Sequence, residues 1–188
     1  MKFTKEFFKN PRQIGSLFSS SKNLSSLITD SADLTTKSVI VELGPGTGIF
    51  TNEITSKKPK NSLFFAIELN KVLFSQTKNT NPSVIIYNDS AIEINKYLLK
   101  HGTRHSDCII SALPWAAFNN DLQDELLNEL YIALKPGGVF LTIALLPGII
   151  FPSAIKFKKK LICRFQKVSK SRIVWRNLPP AFVYICYK

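Results

Sequence analysis

Three alternate glycines and a carboxylate form the chemically most informative stretch of the chain. In VELGPGTGIF, residues 41–50, Glu42 precedes Gly44, Gly46 and Gly48. Glycine lets the backbone turn sharply and approach a ligand closely, and the helix predicted to follow offers free N–H groups. A dinucleotide-binding turn needs its third glycine one position later, so NAD binding is a minor alternative. The pattern predicts a nucleoside-binding loop, and Glu42 suits a ligand that carries positive charge.

Two further carboxylates follow the next two apolar segments. Glu68 lies twenty residues beyond Gly48, where nucleotide-binding βαβ units place a carboxylate on the ribose. Its alternative role is that of a solvated strand end. Asp89 follows the third apolar segment, and its alternative role is to cap the next helix. Both carboxylates are therefore candidates for the same nucleoside site.

The elements that must position these residues alternate regularly from about residue 38. Short, nearly continuous apolar segments are typical of buried parallel strands, and amphipathic segments between them predict helices. The predicted strands are residues 38–43, 62–68, 83–88, 107–113 and 138–146, followed by a final pair around 171–177 and 181–188. The predicted helices are residues 49–57, 70–78, 90–101 and 120–135. Repeated strand–helix units predict an α/β, doubly wound, Rossmann-like sheet.

The composition limits the class of protein. A chain of 188 residues with 45% apolar residues suits one domain over residues 1–188, with 1–37 as a helical lid or membrane-contact segment and 38–188 as the core. Three widely spaced cysteines predict neither disulfides nor a metal site, and they favour a reducing compartment. The longest apolar stretch, residues 139–151, is too short to span a bilayer. We therefore expect a monomeric cytoplasmic protein, peripheral at the inner face of the membrane, without a metal.

The segment SALPW, residues 111–115, ends the fourth predicted strand. Ligands of open parallel sheets bind outside the carboxyl ends of the strands, so Ser111, Leu113, Pro114 and Trp115 are predicted to face the reacting group. Alternatively, Pro114 and Trp115 only end the strand and fill a gap.

The pattern E-x-G-x-G-x-G around Glu42 resembles that of the class I S-adenosylmethionine-dependent methyltransferases. The resemblance implies a seven-stranded, mostly parallel sheet with an antiparallel last strand, and S-adenosylmethionine as the cofactor. It further implies Glu42 on the amino-acid portion of the cofactor, Glu68 on the ribose hydroxyls and Asp89 near the adenine. The full set of cofactor-binding residues that we predict is Gly15, Ser20, Glu42, Gly44, Gly46, Gly48, Glu68, Leu69, Asp89, Ser90, Ala91 and Ser111.

Three stretches narrow the resemblance. IGSLFSSSKNLSSLI (14–28), SALPW (111–115) and NLPPAFVY (177–184) are similar to segments of the bacterial phospholipid N-methyltransferases. The resemblance implies that the acceptor is the amino headgroup of a phospholipid, phosphatidylethanolamine or a methylated derivative, with the rings of Trp115 and Phe118 beside the amine. The ribosomal RNA adenine dimethyltransferases share the glycine loop, so RNA methylation is the first alternative. The second is a non-catalytic lipid- or RNA-binding module on a methyltransferase scaffold.

A basic stretch without acids, residues 156–172, points to an anionic partner. Apolar residues at 154, 155, 161, 162, 165 and 168 recur near helical spacing, and Phe157 falls outside this stripe. The pattern predicts an amphipathic helix on an anionic membrane, with RNA phosphates as the alternative partner. The membrane contacts that we predict are Lys156, Lys158, Lys159, Lys160 and Arg164. In the purely structural alternative, the apolar residues of this stretch belong to the core and the lysines lie on the solvated surface around them.

Overall fold

The structure is a computed structural model that describes residues 21–188. Helices and strands alternate through most of these residues, and the first of them is a helix that Ser21 caps. The helices are α1 (Lys22–Ala32), α2 (Ile49–Lys57), α3 (Lys71–Thr80), α4 (Ile94–Lys100), α5 (Asn120–Ala133) and α6 (Pro152–Arg164). The strands are β1 (Val39–Leu43), β2 (Leu63–Ile67), β3 (Ile85–Tyr87), β4 (Ser106–Ser111), β5 (Leu134–Leu145), β6 (Lys167–Lys170) and β7 (Ala181–Tyr187).

All seven strands form one sheet in the order β3-β2-β1-β4-β5-β7-β6. The first five are parallel, and β7 runs antiparallel to both of its neighbours. This confirms the predicted doubly wound sheet with an antiparallel last strand. The strand order reverses between β1 and β4, so the glycine loop and SALPW leave adjacent strands at one edge of the sheet. That edge is where open α/β sheets bind their ligands.

Each face of the sheet buries its own apolar layer. One layer joins alternate strand residues such as Phe65 and Phe140 to α4, α5 and α6. The other joins Ile40 and Leu141 to α1 and α2. Successive residues of a strand point to opposite faces, which explains why these strands are apolar throughout rather than alternating. Helices on both faces hold the binding edge rigidly.

The predicted C-terminal elements need correction. Helix α6 ends at Arg164, and β6 begins within the stretch that we predicted to be helical. The strand predicted over residues 171–177 is wrong, because this segment is a loop with one isolated bridge between Val174 and Ala181. The apolar stripe predicted for α6 divides, because Leu161 and Phe165 are buried together with Phe157, whereas Ile155 and Ile162 are exposed.

The boundaries around α5 also shift. The helix ends at Ala133 rather than at residue 135, and β5 starts at once at Leu134, so that Gly137 lies inside the strand rather than ahead of it. The predicted helix 90–101 divides into a 3₁₀ turn, Ala91–Glu93, and α4.

Charge is distributed unevenly across the sheet. The segment that forms β5, α6, β6 and β7 belongs to residues 131–188, which hold 11 Lys or Arg and no acid. All 13 acids lie in residues 1–130, beside 14 basic residues. The β5-β7-β6 side of the sheet therefore carries nearly all the excess positive charge.

Among the helices within residues 21–188, none has the length and apolar composition to cross a bilayer.

Candidate active site

The glycine loop follows β1, and three of its residues lie in the left-handed backbone region. Gly44, Gly46 and Gly48 have φ of 73°, 58° and 83°. A Cβ on Gly44 would lie 2.9 Å from Leu113 Cδ2, and one on Gly48 would lie 2.8 Å from the Asn81 amide. A Cβ on Gly46 would meet only the Gly44 carbonyl, at 4.0 Å. The outer glycines therefore permit close packing, whereas Gly46 borders open space that a ligand can occupy.

Glu42 lies fully buried at the end of β1. Its Oε2 accepts a 2.7 Å hydrogen bond from the Thr51 hydroxyl, while its Oε1 has no partner among the described residues. Burial, and to a lesser degree the neighbouring Glu68, raises the pKa of Glu42 to about 8. A buried carboxyl oxygen without a partner is costly, and a cationic ligand group would compensate for it. This site fits the ammonium group of S-adenosylmethionine.

Glu68 holds the glycine loop against the following turn. Its two carboxyl oxygens accept hydrogen bonds from the backbone N–H of Gly46, at 3.1 Å, and of Asn70, at 2.8 Å. Burial raises the pKa of Glu68, although these hydrogen bonds oppose the shift. Each carboxylate oxygen can accept more than one hydrogen bond, so Glu68 can also accept from a ribose hydroxyl.

A cavity of about 40 Å³ lies beside Glu68. Four residues predicted to bind the cofactor line it together, namely Glu68, Leu69, Ser90 and Ala91. Leu113 closes one side, and Phe118, Leu122 and Leu126 also line it. None of these three apolar residues was predicted as a cofactor contact. Phe118 was predicted beside the acceptor amine, and Leu122 and Leu126 lie four residues apart on α5.

Asp89 does not line this cavity. Its carboxylate accepts a 2.7 Å hydrogen bond from the Tyr97 hydroxyl and pairs with Lys96 at 3.1 Å. Partial burial opposes ionisation, but these contacts hold the pKa of Asp89 below its usual value. Ser90, rather than Asp89, caps the following 3₁₀ turn through its hydroxyl.

Ser111 is fully buried at the end of β4. Its Oγ accepts hydrogen bonds from Trp115 Nε1, at 3.1 Å, and from the Leu113 N–H, at 3.3 Å. The hydroxyl therefore shapes the SALPW loop from inside instead of facing an acceptor. Trp115 is buried too, with one ring face stacked on Phe157 at 4.6 Å between centroids. Phe118 is likewise buried, and it lines the small cavity beside Glu68, whereas Trp115 lines the larger cavity described below.

Gln123, in the first turn of α5, is a site residue that the sequence analysis missed. Its side-chain amide donates to the carbonyls of Trp115 (2.8 Å), Phe118 (3.4 Å) and Ser153 (3.3 Å). It thereby ties the SALPW loop to the start of α6. The available signal was a polar residue next to the apolar stripe of α5, which alone does not distinguish a solvated position from a buried one.

A much larger cavity, of about 830 Å³, opens beyond the SALPW loop. Its walls are almost wholly apolar, and Ser153 and Tyr184 are the polar side chains with hydroxyl groups among its lining residues. The lining residues are Leu113 to Ala117, Ile143 to Leu145, Pro147 to Ile149, Phe151 to Ala154, Phe157, Pro179 and Tyr184. Leu113 lines both this cavity and the small cavity beside Glu68. The two spaces therefore meet at the SALPW loop.

The two terminal motifs of the resemblance meet near this cavity. The Ser21 N–H donates a 2.8 Å hydrogen bond to Asn177 Oδ1, and the Asn177 amide donates to the carbonyl of Pro179, a cavity residue. The predicted contacts Gly15 and Ser20 lie outside the described residues. Asn177 is itself buried, so it clasps the start of α1 to the cavity wall.

The five predicted membrane contacts divide into two groups. Lys156, Lys158 and Lys159 are exposed on the outer face of α6. Lys160 pairs with Asp124 at 2.9 Å and donates to the Asn120 carbonyl, and Arg164 is half-buried.

Within residues 21–188, no three His, Cys, Asp or Glu side chains are grouped to bind a metal.

Comparison with protein families decides how this edge of the sheet is to be interpreted. The family model described as ribosomal RNA adenine dimethylase matches residues 7–147. The chain belongs to the ribosomal RNA adenine dimethylase family. As a member of this dimethylase family it is an S-adenosylmethionine-dependent methyltransferase, and the cofactor predicted from Glu42 and the glycine loop is confirmed.

The relatives of this dimethylase-family chain are named for different methyl acceptors, a lipid in one case and ribosomal RNA in another. It is 27% identical to the ornithine lipid N-methyltransferase of Singulisphaera acidiphila over 188 residues, 98% of this chain and 93% of that protein. It is also 27% identical to the ribosomal RNA small subunit methyltransferase A of Ureaplasma parvum serovar 3, over 71% of this chain. The match covers 51% of that protein, so the chain spans about half of its length.

Solved structures share the fold of this dimethylase-family chain. The O-methyltransferase TomG of Streptomyces achromogenes, solved with S-adenosylmethionine, superposes with a TM-score of 0.72 at 14% identity. The superposition covers 97% of this chain and 89% of TomG. A putative O-methyltransferase of Klebsiella pneumoniae gives a TM-score of 0.71 at 11% identity, over 97% of this chain and 89% of that one. These structures confirm the Rossmann-like methyltransferase fold predicted from the sequence.

Proposed function

We propose that the protein transfers a methyl group from S-adenosylmethionine to the amino headgroup of a membrane lipid. The observation that carries the proposal is the apolar cavity of about 830 Å³ that shares Leu113 with the small cavity beside Glu68. A space of this size and composition suits hydrocarbon, whose burial is favourable in proportion to its apolar area. The name of the Singulisphaera relative, an ornithine lipid N-methyltransferase, supports the same class of acceptor.

In this proposal the residues of the small cavity hold the cofactor, which supplies an electrophilic methyl group on a sulfonium. Glu42 pairs with its ammonium group and Glu68 accepts from the ribose hydroxyls. The glycine loop approaches the amino-acid portion, and Leu69, Ser90 and Ala91 surround the adenine, with Asp89 nearby. The protein's main task is then to align nitrogen, methyl carbon and sulfur.

The SALPW loop orients the acceptor. Leu113 borders both the large cavity and the small cavity beside Glu68, and Pro114 borders the large one. Ser111 and Trp115 fix the shape of the loop from within. A lipid ammonium resembles lysine in acidity, so deprotonating it at pH 7 costs on the order of 4 kcal/mol. Apolar surroundings lower the pKa of an amine, and the cavity walls thus favour the neutral nucleophile.

Methylation of ribosomal RNA is the second candidate. The family model and the Ureaplasma relative favour it, and a basic surface suits phosphates. Recognition of a base, however, needs hydrogen-bond partners for its edges, and the lining of the large cavity offers few. The lipid proposal accounts for the cavity better.

The test is a transfer assay with methyl-labelled S-adenosylmethionine and three acceptors. These are vesicles with phosphatidylethanolamine, vesicles with an ornithine lipid, and unmodified ribosomal RNA. Label in either lipid supports the proposal, and label in RNA alone overturns it. Binding of the cofactor without label in any acceptor overturns it in favour of a non-catalytic module. Glu42→Gln should lose label, whereas the exposed matched control Glu125→Gln should keep it.

A further inference from the structure

Two exposed apolar segments border the large cavity. The loop between β6 and β7 carries Trp175, 69% exposed, and Leu178, 81% exposed. The turn between β5 and α6 carries Ile150, 74% exposed, and Phe151, 54% exposed. A single exposed apolar residue is ordinary, but a group of large ones marks a contact surface.

The two segments are neighbours at the ligand-binding edge of the sheet. Leu145, the last residue of β5, pairs with Ala181, the first residue of β7. The Leu146 N–H donates a 2.8 Å hydrogen bond to the Pro180 carbonyl. Residues of both segments, among them Phe151 and Pro179, line the large cavity. We call Ile150, Phe151, Trp175 and Leu178 the apolar rim. Phe151 lines the cavity, Ile150 and Leu178 adjoin the lining residues Ile149 and Pro179, and Trp175 belongs to the same loop as Leu178.

Positive charge accompanies the apolar rim. Arg172 and Arg176 are exposed in the same loop as Trp175, and Lys156 is exposed one turn into α6. Residues 131–188 contain no acid that could neutralise them. Aliphatic tips, a tryptophan and basic side chains together are the composition of surfaces that enter the lipid headgroup region.

Other occupants fit this composition less well. A second copy would bring like charges together if it docked through the same rim. RNA phosphates would pair with the arginines, but they leave Ile150 and Leu178 without a contact. Only a bilayer with anionic lipid offers both an apolar phase and opposite charge.

We propose that the apolar rim inserts into the interface of a bilayer containing anionic lipid, which places the edge of the large cavity at headgroup depth. The inference deepens the proposed function, which supplies the reason for bringing a lipid to this cavity. Insertion itself is measured without methyl transfer, so the two proposals fail separately. If the lipid is methylated although the apolar rim does not insert, only this inference is refuted. If the rim inserts but no lipid is methylated, only the proposed function is refuted.

The two tryptophans make insertion directly measurable. Trp115 is 3% exposed and Trp175 is 69% exposed, and the chain contains no other tryptophan. On adding vesicles of phosphatidylethanolamine and phosphatidylglycerol to the full chain, we expect the emission to shift to shorter wavelength. Lipids brominated on their acyl chains should quench it. Trp175→Phe should abolish the wavelength shift, because only the buried Trp115 then emits. Any quenching that remains in this variant reports brominated chains inside the large cavity, which Trp115 lines.

A matched pair of double variants tests the surface. Ile150→Ser with Leu178→Ser removes two rim residues that do not line the cavity, and should weaken vesicle binding at least tenfold in flotation assays. Leu99→Ser with Ile132→Ser removes residues that are 61% and 56% exposed at the opposite edge of the sheet, and should leave binding unchanged. Circular dichroism melting checks that both variants fold.

Three outcomes overturn the inference. The first is unaltered vesicle binding by the rim variant, or equal losses in both variants. The second is a blue shift of Trp175 with RNA but not with vesicles. The third is self-association of the wild type in sedimentation that the rim variant abolishes, with no binding to vesicles by either protein.

Discussion

At the scale of single residues, Glu42 has the most unusual environment in the proposed cofactor site. Its carboxyl is fully buried, one oxygen lacks a partner among the described residues, and its pKa is raised to about 8. A positively charged ligand group beside it favours the ionised form. Binding of the cofactor should therefore displace a proton from Glu42 below pH 8.

This predicts how cofactor affinity depends on pH. The affinity for S-adenosylmethionine should fall by up to about tenfold for each pH unit below 8, because the proton on Glu42 competes with the ligand. Calorimetry in buffers of different ionisation enthalpy measures the released proton. In Glu42→Gln we expect weaker binding and no release from this position. The same proton release in the variant would contradict the assignment.

The stability of the cofactor-free protein should depend on the same group. Burial raises the pKa of Glu42 in the folded chain above its ordinary value of 4.5, so the folded state holds the proton more tightly. Its stabilising contribution is complete below pH 4.5 and is lost as the pH rises to about 8. The difference in unfolding free energy between wild type and Glu42→Gln should change over this window, as measured by urea titrations. A constant difference would exclude the buried carboxyl as its source.

Ser111 matters through Trp115. Ser111→Ala would leave the buried Trp115 Nε1–H without its acceptor, at a cost of about 1–3 kcal/mol in unfolding free energy. The exposed Ser56→Ala is the control, with a change below about 0.5 kcal/mol. Urea unfolding measures both. Equal effects would mean that the Ser111 hydroxyl does not support the loop.

At the scale of helices and strands, the sequence predicts an element correctly where the residues that determine it are contiguous in the chain. The helix predicted after Gly48 has the observed bounds, Ile49–Lys57, because the strand, the glycines and the amphipathic segment are contiguous in sequence. The burial of Phe157, outside the predicted stripe of α6, could not be inferred because its partner Trp115 lies more than forty residues earlier. The strand predicted at residues 171–177 failed similarly, since the neighbouring segment, Lys167–Lys170, takes the pairing with β7.

The site shows the same division. Glu42, the glycines and Glu68 follow from a short motif and one spacing along the chain. Gln123 could not be inferred, since its three carbonyl partners come from residues 115, 118 and 153. The burial of Ser111 also depends on tertiary packing. A motif can thus name residues near the reaction without telling which ones touch it.

The corrected face of α6 gives a stability prediction. Phe157→Ala should lower the unfolding free energy by about 3–5 kcal/mol, because it removes the ring that stacks on Trp115 in the core. The exposed Ile155→Ala, one turn N-terminal to Lys159, should change it by less than about 1 kcal/mol. Chemical denaturation compares the two. A larger loss for Ile155→Ala would mean that Ile155, rather than Phe157, belongs to the core.

At the scale of the whole molecule, the β5-β7-β6 side of the sheet is basic and the remainder is nearly balanced. An anionic vesicle should therefore attract that side from a distance. Charge attraction acts on the approach, whereas apolar contacts of the rim act mainly on release.

Salt should separate these two contributions. Between about 0.01 M and 0.15 M salt the screening length falls from about 30 Å to about 8 Å. Association with anionic vesicles, followed by stopped-flow fluorescence of Trp175, should slow markedly over this range, while dissociation changes less. Vesicles without anionic lipid provide the control, and an equally strong salt effect on them would refute electrostatic approach.

The clasp between Ser21 and Asn177 has a consequence for synthesis of the chain. The two residues are 156 positions apart, and α1, which follows Ser21, packs on β7 and β5. Helix α1 leaves the ribosome long before β5 and β7 have been synthesised, so its apolar face stays exposed to water or bound to a chaperone until then. Closure is then a late event, and such distant pairing slows folding because a long loop must close first. Nascent chains stalled before Asn177 should remain open at this seam.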